Sequence, residues 1–332
     1  MTRLHRWLRI SLILLVGIAA GHGASLWAGR AFDDHVHRQQ LAQAGWNLRK
    51  IVEAARLGTT PAMPRYWWNR RRAYWQPFRP VAFLLMRAEY AAVSWAAGPM
   101  HALNLAWHLA AALLVAALAE RMLGPTAWTC AAGLLFALHP GHFVAPQWIA
   151  CQSVLMGTVF FVAAVLLYAR WMRWPAGMLA AGGPAAGRWA GRTRRAPWLA
   201  AACLIAWALA LGCREEAIVL PLVLAAFDAA ISPGTYIRLR RRMKVYACFG
   251  LVGLAWIGLR AWALGGWPVP PEPYLTRLAG LELLRYLADK LLFYQLGLYL
   301  YVPCSQLGVF EFLQSHPALF YGLSAGLHAI VL

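Results

Sequence analysis

Residues 148–170 read WIACQSVLMGTVFFVAAVLLYAR, with no charged side chain before Arg170. A helix rising about 1.5 Å per residue would carry this stretch across the roughly 30 Å hydrocarbon layer of a bilayer. Only helices and closed barrels satisfy their own backbone in lipid, and an apolar run of this length without strict alternation reads as a helix. Further apolar runs lie on both sides: Ile10 to Ala28, 80–97, 100–120 and 127–138 before it, and 197–213, 216–231, 245–265, 283–303 and 317–332 after it. The expected fold is therefore all-α, a polytopic transmembrane helix bundle of about nine spans plus one short broken segment, with residues 1–332 forming a single integral membrane domain.

Composition agrees. Of 332 residues, 61% are hydrophobic and 13% charged, with a mean hydropathy of +0.52, which excludes a disordered chain and an ordinary soluble enzyme. The net charge is +19, and Lys50, Lys244 and Lys290 are the lysines, so the positive charge is nearly all arginine. In a soluble chain this would suggest nucleic acid. Here the charge sits in loops between apolar runs and no nucleic-acid module is recognisable, so membrane lipids and phosphates are the expected partners and nucleic acid is not. Cys130, Cys151, Cys203, Cys213, Cys248 and Cys304 lie in or beside apolar runs without metal-ligand spacing, and read as small buried hydrophobes.

Arg3, Arg6 and Arg9 precede the first run, which reads as an uncleaved signal anchor with a cytoplasmic N-terminus; a cleaved signal peptide is the alternative. Two basic segments, 170–196 (Arg170, Arg173, Arg188, Arg192, Arg194, Arg195) and 233–244 (Arg238, Arg240, Arg241, Arg242, Lys244), are cytoplasmic by the positive-inside rule, the first as a Gly/Ala/Pro-rich insertion. Residues 30–79 form the first outer loop, although they carry ten basic residues against Asp33, Asp34 and Glu53. An outer loop requires an odd number of crossings between 80 and 170. Ala127 to Leu138 is the shortest of the four runs there, and reads as a half-membrane segment broken at His139-Pro140. The sequence ends inside the apolar run 317–332, which fits either a natural end or a chain that continues.

Several residues can carry chemistry. Asp33 and Asp34 follow the first membrane exit, where a carboxylate can act as general base toward an acceptor hydroxyl or can cap the helix that follows. That helix, HRQQLAQAGWNLRKIVEAARL, places Leu41, Ala44, Leu48, Val52 and Ala55 on one stripe and suits the membrane interface. The stretch PRYWWNRRRAYWQPFRP, rich in Trp, Tyr and Arg, suits the same interface. His101, Asn104 and His108 share one helix face, where interhelical hydrogen bonding is the simpler role and a metal site the alternative. His139 and His142 flank a Pro-Gly break and can bind phosphate, move a proton or satisfy the backbone. Arg214 can hold a phosphate while Glu215 orients it, or Arg214-Glu215-Glu216 can form a surface ion pair.

In order and spacing, FDD (32–34), FRP (78–80), the H-x-x-N-x-x-x-H helix, LFALHPGH, WIA and CREEAIVLPLVLAAFD resemble the type C (GT-C) membrane glycosyltransferases over roughly residues 8–230. The nearest branch is similar to the O-mannosyltransferases with transmembrane and tetratricopeptide-repeat parts. The resemblance implies a bacterial inner-membrane enzyme that moves a sugar from a polyprenyl-phosphate donor to a protein, lipid or polysaccharide hydroxyl, on the periplasmic face, with inversion and no cofactor. It implies Asp33 or Asp34 as base, with Asp33 preferred because it follows Phe32, and Arg79, His139, His142 and Arg214 as donor-phosphate or cavity contacts. Departures are Val144, Gln152 and Val154 where relatives carry charged residues, Arg214-Glu215 for a Lys-Glu pair, and the absence of tetratricopeptide repeats from this sequence. Two other readings fit: a transporter or flippase of lipid-linked sugars, from the broken helices, and a non-catalytic scaffold, from the lost charges.

Overall fold

The computed structural model describes residues 2–31, 33–55, 77–94, 96–172, 174, 177, 197–231 and 235–266 and isolated positions beyond 280, with the backbone alone for 230, 231, 235–242 and 244. The chain divides into two compact units, Met1–Val269 and Pro270–Leu332; the description below concerns the first. Its regular structure is helical, with no strand among the described residues.

Helix α1 (Arg3–His22) runs on into a 3-10 turn, Gly23–Trp27. Helices α2 (Asp33–Ala44) and α3 (Leu48–Ala54) follow, then α4 (Pro80–Ala92), α5 (Ala97–Leu123) and α6 (Ala127–Leu138). After a short α7 (Val144–Gln147) come α8 (Gln152–Trp171), α9 (Pro197–Cys213), α10 (Leu220–Ile231) and α11 (Thr235–Leu264).

Small residues set the packing of α1, α5 and α6. Leu14 meets Gly133, and Gly17 and Gly21 meet Leu134 and Leu138, so α1 and α6 run in the same direction. A Cβ on Gly133 would stand 3.1 Å from Leu14 and 3.2 Å from Ala116, which is why the closest point of this three-helix group carries glycine. A second core joins α8, α9, α10 and α11 around Tyr168, Trp207, Leu224 and Phe249. The Trp207 indole N–H, buried there, donates to the Ala217 carbonyl at 2.7 Å. A third core joins α2, α3 and α4 to the starts of α5 and α8.

These contacts define two ends. At the basic end Arg6 of α1 pairs with Glu120 of α5, and Arg121 lies within electrostatic range of Arg170 in the last turn of α8. The opposite end gathers Asp34, Arg79 and Arg214.

The segment expected to span at 80–97 does not form a long helix. Helix α4 stops at Ala92, and both of its ends meet the first turn of α8: Arg79 donates to Ser153, and Glu89 lies against Gln152. Ten residues of helix separate those contacts by about 15 Å, so α4 lies across the start of α8 instead of running beside it. Arg87 and Glu89 interrupt the apolar run, and Ser94, at φ 52°, follows the end of the helix.

Four helical stretches are long and apolar enough to cross a membrane: Arg3–Trp27, Ala97–Leu123, Ile149–Trp171 and Val245–Leu264. Ala127–Leu138 and Pro197–Cys213 are shorter apolar helices. The expected runs at 283–303 and 317–332 fall outside the described residues apart from isolated positions, as do most of the interfacial stretch 64–80 and the insertion 170–196. The basic segment at 233–244, expected as a loop, is largely the first part of α11. The single helix expected after Asp34 is broken at Gly45, whose φ is +56°. Asn47 caps the restart by accepting from the Lys50 N–H at 3.2 Å. The break resets the register, so Ile51 is buried beside Leu41, Ala44 and Ala55 while Leu48 is exposed.

Candidate functional site

Asp34, in the first turn of α2, is buried and braced. Its Oδ2 accepts from the Ala31 N–H at 2.9 Å and its Oδ1 from the Ala150 N–H at 2.7 Å, tying α2 to the turn before α8. Burial raises its pKa above the ordinary carboxylate value, with the two N–H donors acting in the opposite direction. Asp33 is different: half-buried, it makes no side-chain hydrogen bond among the described residues.

Arg79 stands at the N-cap of α4, with Pro80 in the first helical position, where its missing N–H costs nothing. Its buried guanidinium donates from Nε to Glu215 Oε2 and from Nη1 to Ser153 Oγ, each at 3.4 Å. The other oxygen of Glu215 accepts from the Phe78 N–H at 2.7 Å, so one carboxylate holds both the side chain and the backbone of the FRP turn. Burial, then the neighbouring Arg214 charge, lower the Arg79 pKa. Arg214 pairs with Glu216 at 2.8 Å and packs on Gly157, where a Cβ would come within 2.9 Å of its Cγ.

Cys151, just before α8, lies within electrostatic range of Asp33, Asp34, Arg79 and Arg214 together. Four residues singled out in the sequence thus lie around the turn before α8, with Glu215 holding Arg79. In such surroundings a carboxylate without a hydrogen-bond partner can take a proton from a hydroxyl, and guanidinium groups can hold an anion.

His37, one turn beyond Asp33 on α2, escaped the sequence reading. It is buried edge-on against Phe83, and burial together with the Arg79 charge lowers its pKa to about 4, so it is neutral near pH 7. Its spacing of four from Asp33 was the available signal. Glu89 was missed as well, although an acid within an apolar run is itself a signal. It accepts from the Trp107 indole N–H at 2.6 Å.

The histidines expected near phosphate form a separate group. His108 of α5 and His22 of α1 both donate from Nε2 to the Ala137 carbonyl, at 2.9 and 3.0 Å, and His142 donates from Nδ1 to the Phe136 carbonyl at 2.7 Å. A carbonyl can only accept, which fixes these ring nitrogens as donors. The last carbonyls of a helix have no partner within it, so these three rings close the C-terminus of α6. His139 accepts from the Gly141 N–H at 3.0 Å and turns the chain at the break. His101 donates to the Gly29 carbonyl at 3.1 Å and Asn104 to the Trp148 carbonyl at 3.0 Å, so all three members of the α5 polar face bind backbone carbonyls of other segments. Among the described residues no group of three or more His, Cys, Asp or Glu side chains is placed to hold a metal ion. Of the cysteines, Cys203 and Cys213 are buried as expected, Cys130 and Cys151 are partly so, and Cys248 is exposed.

A stretch of 153 residues is 34% identical with Protein O-mannosyl-transferase Tmtc2 of Drosophila melanogaster. It covers 46% of this chain and 15% of that protein. No protein-family model and no solved structure matches the chain. The similarity is distant and partial, and it is to a glycosyltransferase.

Proposed function

We propose that this chain is a membrane glycosyltransferase that moves a sugar from a polyprenyl-phosphate donor to a hydroxyl acceptor with inversion at the anomeric carbon. The reading rests on one observation above the others: Asp33, with no hydrogen-bond partner among the described residues, shares the surroundings of Cys151 with Arg79 and Arg214. The partial similarity to an O-mannosyltransferase supports the same class. Asp33 takes the proton of the acceptor hydroxyl as its oxygen attacks the anomeric carbon, and the bond to the lipid phosphate breaks. Arg79 and Arg214 hold the departing phosphate, where charge accumulates. Asp34 keeps α2 in place and Glu215 aims Arg79. On this reading the Asp33 end of the bundle faces the periplasm and the basic end the cytoplasm of a bacterial inner membrane.

The test is donor consumption by the purified protein in lipid nanodiscs, with a panel of polyprenyl-phosphate sugars and crude acceptor, comparing wild type with Asp33→Ala and Asp34→Ala. Transfer that disappears with Asp33→Ala while the variant stays folded supports the assignment. Transfer that survives removal of both aspartates overturns it. Donor binding without turnover in the wild type replaces it with the scaffold reading.

A further inference from the structure

Glu89 stands near the C-terminal end of α4, about 15 Å of helix from Arg79, and only one of its carboxyl oxygens is accounted for. Oε1 accepts from the Trp107 indole N–H of α5 at 2.6 Å. Oε2 is sealed from solvent and has no hydrogen-bond partner among the described residues. Gln152, the fully buried first residue of α8, lies against the carboxyl group, and both the oxygen and the nitrogen of its amide are likewise sealed and unpartnered. Three unmatched polar atoms therefore belong to one contact between α4 and α8. Native interiors leave few such atoms, and sealed ones have no space beside them for a bridging water.

A small adjustment joins them in one of two ways. Either the amide N–H donates to an ionised carboxylate, or a protonated carboxyl group donates to the amide oxygen. Each leaves one amide atom unmatched, so hydrogen bonds do not separate the two. Charge does. A carboxylate withdrawn from water needs a cation, and none contributes at Glu89: burial raises its pKa above the ordinary 4.5, with only the contacts to Trp107 and Gln152 acting the other way. The cations near α4 are engaged elsewhere. Arg87 donates to the Gly45 carbonyl at 2.7 Å and lies over the Trp46 ring. Arg30 and Arg38 come within electrostatic range of Tyr90, as does Asp34, while His37 packs on Phe83. Helix α9 brings Cys213, and α3 brings Ile51, into the core that α4 shares.

We propose that Glu89 is a proton-binding site: at neutral pH its Oε2 carries a proton and donates it in a hydrogen bond to the Gln152 oxygen, while Oε1 accepts from Trp107. The neutral acid links α5, α4 and α8 in one chain of hydrogen bonds. Loss of the proton at alkaline pH leaves an unpaired anion between these helices and loosens that end of α4.

The experiment titrates the full chain in nanodiscs from pH 5 to 8, reading the stretching band of a protonated carboxyl group by infrared difference spectroscopy and, separately, thermal unfolding. Wild type is compared with Glu89→Gln, which keeps the shape of the neutral acid, and with Glu53→Gln, which removes an exposed acid. At pH 7 a protonated-carboxyl band should be present in wild type and in Glu53→Gln, and one carboxyl's worth of it should be lost in Glu89→Gln. An unfolded glutamate gives up its proton near pH 4.5 while folded Glu89 keeps it, so the site's contribution to stability is greatest in acid and declines as pH rises. Wild type and Glu89→Gln should therefore unfold at similar temperatures at pH 5, with the variant gaining over wild type toward pH 8. A band of equal intensity in all three proteins at pH 7, or a Glu89→Gln protein that unfolds below wild type by an amount growing toward pH 8, shows an ionised Glu89 and overturns the site. If Glu89→Gln does not fold, Gln152→Met supplies the reading. Removing the amide oxygen shifts the Glu89 band toward that of a carboxyl group without a hydrogen bond, whereas an ionised Glu89 gives no band to shift and the proposal falls.

Discussion

The charged group around Asp33 and Arg79 and the histidine group at the end of α6 are both polar, both far from the basic end, and both suggested phosphate contact in the sequence. They differ in how their atoms are engaged. His22, His108 and His142 each donate to a carbonyl of the last turn of α6, so their hydrogens are committed to the fold. In the charged group Asp34 and Glu215 are committed in the same way, but Asp33 is not. Neighbouring acids in one sequence, Asp33 and Asp34, thus divide between the two behaviours. Polar residues in a bundle are informative by the atoms they leave unengaged, and sequence spacing alone does not report that.

The widest separation between the groups is expected in turnover. Asp33→Asn should lower transfer by about 10²–10⁴-fold with no change in unfolding temperature, whereas His142→Ala should leave turnover within about threefold of wild type. A loss of turnover with His142→Ala comparable to that of Asp33→Asn would merge the two groups. Next in size, Arg79→Ala leaves Glu215 half-buried without its cation and should cost about 3 kcal/mol in unfolding free energy, read by denaturant or thermal unfolding in nanodiscs. Asp34→Ala strands the Ala31 and Ala150 N–H groups and should cost about 2 kcal/mol, against about zero for Asp33→Ala; equal costs would remove the distinction between the two aspartates. Within the histidine group, His22→Ala and His108→Ala should each cost about 1 kcal/mol and combine non-additively, because both rings donate to the one Ala137 oxygen.

A pH series sharpens the comparison from the other side. His37 and His142 are held neutral by burial, His37 down to about 4. Unfolded histidine takes up its proton near pH 6.5 while the folded rings resist it, so acidification favours the unfolded chain. Stability should be fully present above about pH 6.5 and fall as pH drops toward 4. Replacing His37 by Phe should flatten that fall, measured as unfolding temperature between pH 7 and 4.5; an unchanged slope would assign it to other groups.

The apolar periodicity made the helical class readable, since runs such as 148–170 leave no alternative in lipid. Candidate positions were readable where a break or a charge interrupted a run: Arg79-Pro80, His139-Pro140 and Arg214-Glu215 all fall at helix ends. The length of α4 was not readable because hydropathy averages over Arg87 and Glu89, whereas their contacts with Gly45 and Trp107 depend on segments elsewhere in the chain. The register beyond Gly45 was misread because a periodic stripe assumes unbroken helix, and a positive φ at one glycine rotates everything after it. The brace on Asp34 was out of reach for a simpler reason: its second donor is the Ala150 N–H, a hundred residues away and without a side-chain signature.

Helix α6 also bears on the shape of the membrane around the protein. Its twelve residues reach about 18 Å, while Trp128 and Leu135 point away from its neighbours. Such a length falls short of the roughly 30 Å hydrocarbon layer, a mismatch that a bilayer meets by thinning locally beside the helix. Beside α5, fifteen residues longer, no such thinning is needed.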